Sequence, residues 1–192
     1  MLTIAVINSK GGTGKTTTAV YLAVAARRQH PEWAIGLIDA DSQSSAIDWY
    51  EVAQNNEDRM PFTIIQAKNS LDLSYDADLL IIDTAPGDGT NIAKAAKRAD
   101  VVIIPTEAET MALTRAKVTA DAVGNKGWLL FTKTRRSTKI FSSACEAVNT
   151  LGLRRFATTI PDSVKYKSYG TVPKDLGAYS ELWLELQTKI GE

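Results

Sequence analysis

The sequence predicts an α/β fold: one doubly wound, mostly parallel β-sheet with helices on both faces. Three observations carry this. Short, β-branched, nearly continuous apolar runs recur along the chain, as strands covered on both faces require. Stretches of helical spacing alternate with those runs, the order produced by strand–helix–strand units. A glycine-rich turn stands between the first apolar run and the first helical stretch.

The strand candidates, in order, are Leu2–Ile7, Ala34–Ile38, Phe62–Ile65, Leu79–Ile82, Val101–Ile104 and Trp128–Phe131, with Ala157–Ile160 a weaker seventh. Between them, Thr16–Gln29 carries Ala19, Leu22, Ala23 and Ala26 at helical spacing and stops before His30-Pro31. Helices are expected at Ser44–Asn55, Asn91–Arg98, Thr110–Val123, Lys139–Thr150 and Leu176–Ile190. No internal repeat, low-complexity tract or linker interrupts this pattern, so a single domain over residues 1–192 is expected.

Composition narrows the function classes. The chain has 192 residues, 44% hydrophobic and 23% charged, and its 22 basic and 22 acidic side chains sum to zero net charge. That is ordinary for a globular protein and unlike a disordered or collagenous chain. One cysteine, Cys145, cannot form an intrachain disulfide, and one histidine, His30, cannot build a histidine metal cluster or a Ser-His-Asp triad. No apolar run approaches the ~20 residues of a membrane span. Met1–Asn8 lacks the basic lead and cleavage site of a signal peptide, so a cytoplasmic protein is expected.

The chemistry begins at Asn8-Ser9-Lys10-Gly11-Gly12-Thr13-Gly14-Lys15-Thr16-Thr17. Glycines at 11, 12 and 14 let backbone approach phosphate oxygens closely, and the helix N-terminus aims N–H groups at the anion. In such a P-loop, Lys15 contacts the β- and γ-phosphates and the Thr16 hydroxyl ligates Mg²⁺. Ser9 stands where the common pattern has its first glycine. The sheet is therefore expected to be that of a P-loop NTPase.

Lys10-Gly-Gly-Thr-Gly-Lys15-Thr-Thr is similar to the deviant Walker A motif of the ParA/MinD ATPases, marked by the extra lysine at position 10. The resemblance implies ATP and Mg²⁺ as cofactors and an ATP-dependent homodimer in which Lys10 reaches the partner's nucleotide. Charge developing between the phosphates would be stabilised there as by an arginine finger. Asp39-Ala-Asp41-Ser-Gln43 looks like the family's D-x-D-P-Q segment with Ser42 in place of proline. By that resemblance Asp41 positions the attacking water and Asp39 supports the metal shell. Leu79-Leu-Ile-Ile-Asp83 looks like Walker B, with Asp83 holding Mg²⁺ through water. The expected catalytic set is Lys10, Lys15 and Asp41. The expected nucleotide-binding set is Lys10, Gly11, Gly12, Thr13, Gly14, Lys15, Thr16 and Thr17, joined by Pro105, Thr132 and Lys133 at later strand ends, which resemble the base-binding segments. Thr16, Asp39 and Asp83 form the expected metal set.

An iron–sulfur reading fails for want of cysteines. A membrane-cycling reading needs a basic amphipathic C-terminal helix, yet Glu181 and Glu185 flank the stripe Tyr179, Leu182, Trp183, Leu186 and Ile190. That stripe is expected to pack on the domain. Residues 126–174, by contrast, hold ten basic residues and only two acids, Glu146 and Asp162. Such a local excess can neutralise DNA phosphates. Arg135, Arg136, Lys139, Arg154, Arg155, Lys165 and Lys167 are the candidate contacts, and their loops could converge on one face. The resemblance therefore points to a small partition ATPase of plasmids or chromosomes. It would bind nonspecific DNA and the nucleoid when ATP-bound, and be reset by a ParB-like centromere-binding partner. The alternatives are a related ATPase positioning a protein cargo or cycling on a membrane, and a non-catalytic ATP-dependent switch.

Overall fold

A computed structural model describes residues 1–67, 71 and 75–191. The apolar runs form β1 (Leu2–Val6), β2 (Ile35–Ala40), β3 (Thr63–Gln66), β4 (Leu79–Thr84), β5 (Val101–Thr106) and β6 (Gly127–Phe131). They pair in one sheet of order β3-β2-β4-β1-β5-β6, and each pairing is parallel. The helices are α1 (Lys15–Gln29), α2 (Ser45–Asn55), α3 (Gly89–Arg98), α4 (Thr110–Val123), α5 (Lys139–Thr150) and α6 (Ala178–Gly191).

Pleating sends successive side chains to opposite faces, and two cores result. Ile4, Val6, Leu79, Ile81 and Ile103 face one core with α1, α2 and α6. Ala5, Ile7, Leu80, Ile82 and Ile104 face the other with α3, α4 and α5. Every residue of β2, β4 and β5 is buried, which is why these runs show no polar alternation. The C-terminal stripe behaves as core: Tyr179, Leu182, Trp183 and Leu186 are buried against α1, while Ile190 is exposed. No helix among the described residues is long and apolar enough to cross a membrane.

The weaker seventh strand is not formed. Residues 155–161 lie beside β6 through two isolated bridges, Leu129 with Arg155 and Thr134 with Pro161. Between them the N–H groups of Ala157 and Thr158 donate to the Glu185 carboxylate of α6, at 2.7 and 2.8 Å. Those donors are spent on a side chain, and Pro161 has none, so a continuous ladder cannot build.

Candidate functional site

β1 lies at the centre of the sheet, and its carboxyl end opens into the glycine-rich loop. Ligands of open α/β sheets bind at this edge. Asn8, fully buried, pins the loop: its amide donates to the Pro105 carbonyl at 2.7 Å, and its oxygen accepts the Lys10 N–H at 3.0 Å. Gly12 and Gly14 hold φ of +73° and +87°, left-handed values that a side chain would strain. α1 begins directly after Gly14, and residue Lys15 is only 6% exposed. Its ammonium donates to the Lys10 carbonyl at 3.2 Å. Burial lowers its pKa, while Asp83 and Asp41 act in the opposite sense. Lys15 is thus a buried cation tied to the loop backbone, with Asp83 and Asp41 as its nearby anions.

Two aspartates face each other across β2 and β4, since Asp39 and Asp83 are register partners. Their environments differ. Both Asp83 oxygens are buried and take no well-formed hydrogen bond, the Thr16 hydroxyl making only a loose contact. Burial raises this carboxyl to about 7, against the opposing influence of the Thr16 hydroxyl and Lys15. Asp39 is equally buried but fully engaged. One oxygen accepts from Asp41 N at 3.0 Å; the other accepts from Ala46 N at 2.9 Å and Ile47 N at 3.1 Å. Burial still raises its pKa, though those three donors act to lower it. Ser44, the residue before α2, sits at φ +53° and makes no side-chain cap, so Asp39 caps the helix from the neighbouring strand. Asp39 thus organises the loop that carries Asp41. Asp41 itself is half-buried and accepts the Gln43 N–H at 2.8 Å.

Lys10 turns back on its own subunit and pairs with Glu107 at 2.7 Å. Glu107 also holds Lys133 at 3.1 Å, and Lys133 donates to the Gly12 carbonyl at 2.6 Å. Sequence reasoning missed Glu107, although its position directly after Thr106 at the end of β5 was a usable signal.

Beside the loop lies a pocket lined by Thr13, Gly14, Thr17, Thr132, Lys133 and the segment 160–167. Thr132 ties it to the loop by donating to Thr13 O at 2.9 Å. Thr132 and Lys133 therefore line the pocket beside the loop, while Pro105 does not and spends its carbonyl on Asn8. The segment 160–167 and Tyr179 were not foreseen as lining. Tyr179 is buried, with its hydroxyl 3.1 Å from that of Thr18, and burial pushes its phenol far above the ordinary value.

The basic residues take separate partners. Arg135 and Arg136 follow the carboxyl end of β6 and are exposed, with Lys139 at the start of α5. Arg135 makes a long pair with Asp162, at 3.3 Å. Lys167 lines the pocket, and the Lys165 ammonium lies 3.6 Å from Asp175. Arg154 stacks over Trp128 at 4.7 Å, with Lys189 over the same ring at 4.3 Å. It and Arg155 sit at the level of Leu129, the middle of β6. By their partners the candidate contacts fall into at least two groups.

Comparison with known proteins agrees with this geometry. A segment of 109 residues is 37% identical to the maintenance of carboxysome distribution protein A of Gloeobacter kilaueensis. It covers 54% of this chain and 48% of that protein, so the match spans about half the relative's length. Among solved structures, a Borrelia burgdorferi B31 protein assigned to plasmid partition, bound to AMPPNP, superposes with a TM-score of 0.77. It is 21% identical, with 98% of each chain covered. Cobyrinic acid a,c-diamide synthase of Mycobacterium smegmatis, with an ATP analogue and magnesium, gives a TM-score of 0.70 at 21% identity, covering 100% of this chain and 97% of that one. These structures share the fold. The family model for the CobQ/CobB/MinD/ParA nucleotide binding domain matches residues 4–173, and the chain belongs to that family.

Proposed function

We propose that this protein is a Mg²⁺-dependent ATPase that dimerises on ATP, binds DNA without sequence preference and distributes a cargo along it. The observation that carries the reading is a buried Lys15 and a buried Asp83 carboxylate, poor in hydrogen-bond donors, at the same strand edge. A buried carboxylate poor in donors is costly, and a divalent cation satisfies it. No group of three metal-ligating side chains stands among the described residues. A cation here therefore relies on phosphate oxygens, Thr16 and water as well as Asp83, which is how Mg²⁺ accompanies nucleotides.

Bound Mg·ATP supplies the scissile γ-phosphoryl group. The chain's own residues do the rest. Loop N–H groups and Lys15 hold the β- and γ-phosphates, the pocket at Thr132 and Lys133 takes the base, and Asp41 orients the attacking water. Asp39, by fixing Asp41 N and the start of α2, keeps that carboxylate in register. Positioning and electrostatics then supply most of the catalysis.

Plasmid DNA is the cargo we favour, from the cation excess of residues 126–174 together with the family. The 37% identity of a 109-residue segment to a carboxysome distribution protein favours a second reading, in which a protein assembly is the cargo. In either case a partner on the cargo would stimulate hydrolysis. The test is binding to random-sequence DNA with ATP, ADP or no nucleotide across a salt series. ATP-dependent, salt-sensitive binding is expected, and binding that ignores nucleotide would overturn the reading.

A further inference from the structure

Lys10, Glu107 and Lys133 stand at the carboxyl ends of three neighbouring strands, and a single carboxylate joins them. Its Oε2 takes Lys10 at 2.7 Å and its Oε1 takes Lys133 at 3.1 Å. Glu109 stands 3.9 Å from the same Lys10 ammonium as a weaker second anion. Lys133 in turn grips the loop backbone at Gly12 O, and it does so from φ +51°, a left-handed conformation that contacts must hold in place. Glu107 is about one-fifth exposed, so this is a sheltered, charge-assisted pair rather than a solvated one. Its hydrogen bonds to Lys10 and Lys133 keep the carboxyl below the ordinary glutamate value, so the anion persists well into mild acid.

We propose that Glu107 is a positioning residue that latches Lys10 inside its own subunit. Lys10 then reaches a second copy of this chain only when the Lys10–Glu107 pair opens. This deepens, and rests on, the reading of the protein as an ATP-dependent dimer. In a free subunit the latch withholds Lys10 from any neighbour and balances the cations that crowd the empty loop. On dimerisation the ion pair must be exchanged for contacts across the interface. The pair therefore sets a threshold: subunits meeting without the compensating negative charge of nucleotide gain nothing by opening it. Lys133 keeps Glu107 pointed at the loop after Lys10 leaves, so the latch can close again.

The experiment compares wild type with Glu107→Gln and Glu107→Asp. In nucleotide-free protein, limited acetylation followed by peptide mass spectrometry reads the reactivity of Lys10, with exposed lysines as internal reference. Reactivity should rise about threefold to tenfold in Glu107→Gln, the range expected for a partly sheltered ion pair, and stay near wild type in Glu107→Asp. Sedimentation with Mg·ATP should show Glu107→Gln dimerising at a protein concentration lower by a similar factor. Unchanged Lys10 reactivity in Glu107→Gln would overturn the latch, as would freed Lys10 without easier dimerisation. Should wild type fail to dimerise with ATP, the proposed function falls, and the acetylation arm alone then decides whether Glu107 withholds Lys10.

Discussion

At the glycine-rich loop, functional groups from β2, β4 and the turn after β1 meet at adjoining strand ends, each with its own anchor. Lys15 is tied to the Lys10 carbonyl, Asp39 takes three N–H groups, and Asp83 lies buried beside the Thr16 hydroxyl and Lys15. In residues 126–174 the same kinds of charge lie on the surface, and their neighbours decide where each one points. Arg154 lies over Trp128, Lys165 beside Asp175, and Arg135 in a long pair with Asp162. Strand register brings residues distant in sequence together in the first region, whereas residues close in sequence take separate partners in the second.

Replacing the buried cation should have the largest effect. Lys15→Ala is expected to weaken ATP binding by roughly 100-fold or more, since phosphate positioning depends on it. Equilibrium binding of a fluorescent ATP analogue measures this, and ATP-dependent DNA binding should vanish in parallel. Retention of DNA binding without ATP affinity would mean that the two regions are not coupled.

Asp83→Asn separates cost from function at the same site. The Asp83 carboxyl sits at about 7 in the folded protein, above its unfolded value. A raised pKa means that the folded state keeps its proton longer than the unfolded chain, so stability falls as pH rises from about 4 to about 7. In nucleotide-free protein at pH 8, Asp83→Asn should raise the melting temperature by on the order of 5 °C, an advantage that shrinks towards pH 5. The same variant should lose most of its ATPase activity. If it melted lower than wild type at pH 8, the Thr16 and Lys15 contacts would outweigh the cost of burying the carboxylate.

Asp39→Ala should destabilise by about 2–3 kcal/mol, because three N–H groups lose a charged acceptor. Urea unfolding measures this. The Mg²⁺ concentration for half-maximal turnover should stay near wild type in residual activity. A large rise there would place Asp39 in the metal shell.

The smallest effects belong to the dispersed region and test its division. Replacing Arg135 and Arg136 together by alanine should lower DNA affinity about tenfold and flatten the salt dependence by about two phosphate contacts. Arg154→Ala, which removes a cation stacked on an aromatic ring, should change DNA affinity less than about twofold. Equal losses from both would restore a single continuous face.

Much of the fold was legible because it rests on periodicity. The expected helices Thr110–Val123 and Lys139–Thr150 coincide with α4 and α5, and the six stronger strand candidates all appear in the sheet. The seventh was misread because its donors go to Glu185, a residue distant in sequence. At the site, the loop glycines and Asp83 were readable from spacing, since their geometry follows from neighbours along the chain. Glu107 and the segment 160–167 were not, because their proximity to the loop arises only when β5 and β6 stand beside β1. Asp39 was legible as a buried strand-end acid, but not as a helix cap, since the left-handed Ser44 that leaves α2 uncapped has no mark in composition.

The segment beside β6 has a consequence for how copies of this chain can stack. Leu129 uses both its N–H and its carbonyl on Arg154 and Phe156, Phe131 gives its carbonyl to Ile160, and Thr134 exchanges bonds with Ile160 and Asp162. An outer strand with its main-chain groups already spoken for offers no template for another strand. Copies meeting at this edge would do so through side-chain surfaces, not by extending the sheet past β6. Contacts of that kind can be reversed by opening a few ion pairs, whereas a continuous cross-subunit ladder would resist dissolution.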